Sequence, residues 1–241
     1  MSAPGREALL EVRAIDAFRG PAQILRGVSL AVGTGEVVCL VGRNGAGKTT
    51  TIESILGLLP VRAGRVAFQG RDVTRLPAHE RARLGIGWAP EDAGIFPDLT
   101  VEENFEIATW LSRTDGDRRA GLEQALAVFP EVRGLTRRRG LHLSGGQKKM
   151  VAIARAMTLR PRVLLLDEPF EGLAPRVVTR LIEAVRSIRD LGIAVLIAES
   201  NFVNALRVAD RLYAIDRGEI VFEGAPEAAQ AHPEVIKILR G

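Results

Sequence analysis

Gly42-Arg43-Asn44-Gly45-Ala46-Gly47-Lys48-Thr49-Thr50 decides how the rest of the chain is read. The nine residues satisfy G-x-x-x-x-G-K-[ST] at every fixed position. Glycines at 42, 45 and 47 let the main chain curl and bring its N–H groups against phosphate oxygens. Lys48 adds a point charge for β- and γ-phosphates, and the Thr49 hydroxyl is a ligand for Mg²⁺. The flanks agree. Residues 36–41 (Glu-Val-Val-Cys-Leu-Val) read as a buried strand, and residues 51–59 carry Ile52, Ile55, Leu56 and Leu59 at helical spacing. A helix N-terminus then faces the anion and adds its dipole. A ligand-free glycine-rich turn does not call for strand, Lys-Thr pair and helix together.

A second half of the site lies downstream. Residues 163–169, Val-Leu-Leu-Leu-Asp-Glu-Pro, read as a buried strand ending on two carboxylates. Ligands of open parallel sheets bind beyond the carboxyl ends of the strands, which puts Asp167 beside the phosphate loop. There it can hold Mg²⁺ directly or through water, and Glu168 can orient or deprotonate an attacking water. Leu143-Ser144-Gly145-Gly146-Gln147 is a second anion device. Ser144 is a natural N-cap, and Gly145 and Gly146 expose N–H groups at the start of a helix carrying Met150, Ile153, Ala154 and Met157.

Composition narrows the classes. With 241 residues, 46% apolar and 26% charged, the chain fits one sizeable globular domain, or one domain with a subdomain. Aromatics are 5%, too few for a surface that stacks single-stranded bases. The net charge of +4 comes from scattered arginines with no long basic run, so no nucleic-acid partner is expected. The one cysteine, Cys39, sits in the apolar run before the loop and reads as a small buried hydrophobe, without an intrachain disulfide. No signal peptide or membrane-spanning stretch is seen, so a membrane role has to run through a partner.

Short strands are expected at 8–16 and 28–32 around a turn at 18–23, then at 65–69 and 86–89, with a helix at 77–84. From about 90 to 160 strand signals stop. Thr100 with Glu103 is a capping-box signature, and helices are expected at 101–112 and 117–129, joined by a turn at 114–117. Strands return at 163–167 and 193–198, the second preceded by a helix bearing Val178, Leu181, Ile182, Val185 and Ile188. A hairpin pairs 211–215 with 219–223, and a short helical tail follows Pro226. Strands alternating with helices give a mainly parallel α/β sheet covered on both faces.

Over essentially its whole length the sequence resembles the ATP-binding-cassette (ABC) ATPases. Gly42 to Thr49 matches their Walker A motif, Leu143 to Gln147 their signature, Val163 to Glu168 their Walker B strand, and Glu171-Gly-Leu-Ala their D-loop. The resemblance implies a P-loop α/β fold: a mainly parallel RecA-like sheet, an antiparallel β subdomain and an inserted helical subdomain. One nucleotide-binding domain would fill 1–241, with the ATP-binding core at 1–89 and 160–241 and the signature subdomain at 90–159. It implies ATP and Mg²⁺ as cofactors, Gly42, Arg43, Asn44, Gly45, Ala46, Gly47, Lys48, Thr49 and Thr50 as ATP-binding residues, and Glu168 as catalytic base. Two such domains, in a homodimer or heterodimer, would pair head to tail, with Ser144, Gly145, Gly146 and Gln147 of one contacting the ATP of the other. Phe18 falls where the family stacks an aromatic ring, usually Tyr, on adenine.

Within the family the chain looks most like the LivF-type ATPases of branched-chain amino-acid, urea and amide importers. Ala89-Pro-Glu-Asp, residues 95–104 (Ile-Phe-Pro-Asp-Leu-Thr-Val-Glu-Glu-Asn) and residues 167–175 (Asp-Glu-Pro-Phe-Glu-Gly-Leu-Ala-Pro) carry that likeness. It implies two transmembrane permease subunits docked near 90–110, with Ile95, Phe96 and Leu99 as contacts. It also implies a periplasmic binding protein in the same system and a peripheral place on the cytoplasmic face of the inner membrane. Two positions depart from the wider family: Glu91 stands where Gln is usual and retains the capacity to ligate Mg²⁺, and Ser200 stands at the switch histidine. Ser donates one hydrogen bond and never becomes cationic. Both departures are familiar in the LivF-like branch. The alternative is the ATPase of a lipopolysaccharide or lipid exporter, which normally keeps Gln and His at these positions.

Overall fold

A computed structural model describes residues 8–110 and 115–240. Strands β1 (Ala8–Arg19), β2 (Ala22–Gly33), β3 (Val37–Val41), β4 (Val61–Phe68), β5 (Arg71–Asp72), β6 (Ile86–Ala89), β7 (Val163–Asp167), β8 (Ala194–Glu199), β9 (Arg211–Asp216) and β10 (Glu219–Gly224) form two sheets. One is antiparallel, in the order β2-β1-β4-β5; the other has six strands in the order β10-β9-β3-β8-β7-β6. In the larger sheet only the β9–β10 pairing is antiparallel.

Helix α1 (Lys48–Leu56) lies between the sheets, against β1 and β2 on one side and β7 and β8 on the other. The unbroken apolar run of β3 follows from this layering, because a parallel strand covered on both faces has no polar side. Val38 and Leu40 face the core that holds Ile52 and Ile55 of α1. Val37, Cys39 and Val41 face a second core, under α5 (Gly145–Met157) and α6 (Pro175–Asp190). On α6, Val178, Leu181, Ile182, Val185 and Ile188 are all buried there, as their spacing predicts. Between β6 and β7 the described residues form α3 (Val101–Thr109), α4 (Asp115–Val128), 3₁₀ turns at Pro130–Leu135 and Gly140–His142, and α5, without a strand. The remaining helices are α2 (Ala78–Leu84), α7 (Phe202–Val208), α8 (Pro226–Ala231) and α9 (Pro233–Arg240).

Several boundaries move from the sequence expectation. β1 and β2 stay paired as far as Arg19 opposite Ala22, so the expected six-residue turn shrinks to Gly20-Pro21. Helix α1 starts at Lys48 rather than at 51, so Lys48 and Thr49 sit in its first turn. It ends at Leu56 because Gly57 (φ 75°) takes the left-handed conformation and returns its N–H to the last turn. α4 begins at Asp115, where a turn was expected; positions 112 and 114 lie outside the described residues. The capping box at Thr100 forms as read: its hydroxyl accepts from the Glu103 N–H, and its own N–H donates to the Glu103 carboxylate.

Candidate active site

Strands β3, β8, β7 and β6 lie side by side and parallel, so four loops emerge at one edge of the sheet. These loops carry the 42–47 loop, Glu199-Ser200, Asp167-Glu168 and Glu91, a clustering that sequence distance hides. Lys48, Thr49, Asn44, Gly45, Glu91 and Glu168 are among the residues lining a depression of about 320 Å³ here.

Lys48 is 5% exposed and threads back through its own loop. Its Nζ donates to the carbonyls of Gly42 (2.8 Å) and Arg43 (3.1 Å) and lies 3.1 Å from Glu168 Oε1. Gly47, at φ 116°, closes the loop; a Cβ there would come within 2.8 Å of Leu25. The turn of the β9–β10 hairpin braces the loop, with Gly218 N–H donating to the Ala46 carbonyl at 2.9 Å.

Thr49 Oγ1 donates to Asp167 Oδ1 at 3.3 Å. Burial drives the Asp167 pKa up to about 6; the Thr49 hydrogen bond and Lys48 oppose the shift, while Glu168 and Glu91 add to it. Among the described residues no group of three or more His, Cys, Asp or Glu forms a self-sufficient metal cage. Mg²⁺ needs none, because it combines one or two protein oxygens with substrate phosphates and water. The hydroxyl–carboxylate pair fits that requirement, and exposed Glu91 lines the same depression.

Glu168 has φ 44°, unusual for a non-glycine residue and doubly so before Pro169. Its N–H donates to the Ala198 carbonyl at 2.9 Å. Its Oε2 accepts from Ser200 twice, from N–H at 3.0 Å and from Oγ at 3.1 Å. Ser200 therefore touches the Glu168 carboxylate through both its main chain and its hydroxyl.

Glu199 was not anticipated. It is 1% exposed, with Oε1 accepting from Asn201 N–H at 2.7 Å and Oε2 buried without a partner among the described residues. Burial first, and then the neighbouring Glu168, pushes its pKa to about 8, with the Asn201 bond and Lys48 opposing. Two ionised carboxylates only repel, whereas a protonated Glu199 can donate to Glu168. The signal was present in the sequence, since residues 194–199, like 163–168, are an apolar run closed by an acid.

The Ser144 segment forms a capping box, with Gln147 N–H donating to Ser144 Oγ (3.3 Å) and Ser144 N–H to Gln147 Oε1 (3.0 Å). Ser144 and Gly145 are exposed, and the segment does not line the depression around Lys48. Phe18 is half-buried near the end of β1, opposite Gln23. It does not line the depression either; its neighbour Arg19, ion-paired to Glu53, and Ile24 do.

A family model described as ABC transporter matches residues 25–171, more than half of the chain, including the phosphate loop, the Ser144 segment and Asp167-Glu168. The chain belongs to the ABC transporter family. This ABC ATPase is 34% identical over 227 residues, 94% of its length and 97% of the relative's, to the high-affinity branched-chain amino acid transport ATP-binding protein BraG of Pseudomonas aeruginosa. It is 37% identical over 219 residues, 90% of each chain, to the lipopolysaccharide export system ATP-binding protein LptB of Acidithiobacillus ferridurans. Among solved structures it matches the ADP conformation of MJ1267, an ATP-binding cassette of an ABC transporter, with TM-score 0.86 and 29% identity, covering 98% of this chain and 99% of that one. The α/β cassette is thus an ATP-hydrolysing transporter subunit, a kind of protein that works with membrane permeases and a second cassette. No helix among the described residues is long and apolar enough to cross a membrane.

Proposed function

We propose that this ATPase powers uptake of a branched-chain amino acid or related amide through two separate permeases, from the cytoplasmic face of the membrane and together with a periplasmic binding protein. The observation carrying the importer reading is Ser200 hydrogen-bonded to Glu168. With Glu91 it follows the LivF-like pattern, where lipid exporters normally keep His and Gln. Export of lipopolysaccharide or another lipid is the second reading, favoured by the identity to LptB.

In this reading Lys48 and the 42–50 loop bind the phosphates, Phe18 stacks on adenine, and Glu168 accepts the proton of the attacking water. Thr49 and Asp167, with Glu91, would hold Mg²⁺, which when bound offsets the phosphate charge. Residues 90–159 form a lobe that presents Ser144, Gly145, Gly146 and Gln147 to the ATP of a second cassette. The permeases dock near 90–110. There Phe96 is 46% exposed, and a groove of about 290 Å³ with an apolar lining runs past Leu58, Trp88 and Ala108.

Steady-state ATPase assays test the chemistry. Glu168→Gln is expected to lower kcat by about a hundredfold or more, and unchanged turnover would remove Glu168 as the base. Hydrolysis by the isolated subunit is expected to be slow, and Ser200→His is expected to raise it. Reconstitution with permeases that co-purify with the chain tests the cargo: ATP-dependent uptake of labelled leucine or an amide supports import, and lipid extraction supports export.

A further inference from the structure

Lys149 belongs to none of the motifs, yet its ammonium touches two of them. It lies on α5, one turn beyond the Ser144 cap. Its Nζ donates to the main-chain carbonyl of Glu91 at 2.7 Å and to that of Glu168 at 2.6 Å. Glu168 is the residue held at φ 44°, a strained conformation that persists only where surrounding contacts impose it. The peptide that must be held is the one whose carbonyl Lys149 grips. From the same helix Arg155 donates to the carbonyls of Gly94 (2.8 Å) and Ala93 (3.3 Å), so the far end of the 91 loop is tied to α5 as well.

We propose that Lys149 is a positioning residue for Glu168, coupling the aim of that carboxylate to the seating of the 91 loop through one ammonium shared by their two carbonyls. The proposal rests on the reading of Glu168 as base. When the loop shifts away from α5, Lys149 loses one acceptor and the Glu168 peptide loses part of its restraint. Movement at the permease-facing 91–99 segment thereby reaches the reacting carboxylate without passing through nucleotide. Burial lowers the Lys149 pKa, and Glu91, Glu171, Glu168 and Asp167 offset part of that shift.

The test compares wild type, Lys149→Met, Lys149→Arg and Glu168→Gln in the full chain. Lys149→Met retains the aliphatic stem. It is expected to cut kcat about tenfold or more while ATP Kd stays within about twofold, and Lys149→Arg is expected to recover part of the loss. Amide hydrogen exchange supplies a readout independent of turnover. Lys149→Met should raise exchange around residues 91–96 and 168–172 together and leave 150–157 of α5 protected. Unchanged kcat and exchange in Lys149→Met overturns the proposal, as does exchange rising along all of α5 or ATP affinity falling with kcat. Intact turnover in Glu168→Gln instead overturns the assignment of the base, which keeps the two failures distinct.

Discussion

Glu199 puts a second carboxyl group behind Glu168, and its protonation gives the site a pH signature. Its folded pKa is raised, from 4.5 to about 8, so the fold favours the neutral form. That contribution to stability is fully present below about pH 4.5 and is lost as pH rises toward 8. Asp167 acts in the same direction over a lower window, from 3.8 to about 6. Glu168 opposes ionisation of Glu199, while Lys48 and the Asn201 N–H favour it. Glu199→Gln keeps the shape and stays neutral throughout. Its melting temperature is therefore expected to fall less than that of wild type between pH 5 and 8, giving a more stable variant at the alkaline end. Calorimetry of the nucleotide-free protein checks this, and parallel curves for the two proteins would mean that Glu199 is ionised in the fold.

At the level of elements, the phosphate loop is held by a hairpin far along the chain. Gly218 sits at φ 84° in the β9–β10 turn, and a Cβ there would come within 1.9 Å of the Ile24 carbonyl. Its N–H holds the Ala46 carbonyl, and its own carbonyl accepts from Arg26 N–H at 2.8 Å. Gly218→Ala is expected to push the hairpin off β2 and the loop, weakening ATP binding as well as lowering the melting temperature; isothermal titration measures the first and calorimetry the second. Gly42 to Thr50, Ser144 to Gln147 and the Asp167-Glu168 strand were legible as motifs because each is a run of consecutive residues. The Thr100 capping box was legible as a spacing of three, whereas at Ser144 only the N-cap was read and Gln147 completes a second box. Gly218 against Ala46 was not, since nothing local marks a glycine by what approaches it from another element. Arg81 was hidden for the same reason. It is 2% exposed and gives its guanidinium to the carbonyls of Ser54, Ile55, Leu76 and Thr74, closing the end of α1 from α2. The β1–β2 hairpin exceeded its expected length because cross-strand pairing, which no single strand encodes, carries it to Arg19.

For the whole molecule, the depression around Lys48 draws its phosphate donors from residues of the 42–50 loop, with Arg19 at its lining. The other anion device, the N-terminus of α5, is exposed and does not line it. Gly146 explains how that terminus is presented. A Cβ there would come within 2.8 Å of Val177, so glycine lets α6 pack close while Ser144 remains at the surface. In the proposed function the open face of a bound nucleotide is closed by the α5 of a second cassette, so ATP would join the two. Glu168→Gln, by stalling hydrolysis, is expected to hold that pair together. Sedimentation should show the 26.1 kDa chain doubling its mass on adding ATP, and staying monomeric with ADP, which lacks the γ-phosphate. Adding Ser144→Arg to Glu168→Gln fills the donor end of α5 but leaves the Lys48 wall intact. The double variant should bind ATP with unchanged affinity and remain monomeric. A double variant that still dimerises would place the closing surface elsewhere, and one that loses ATP binding would place Ser144 in its own chain's site.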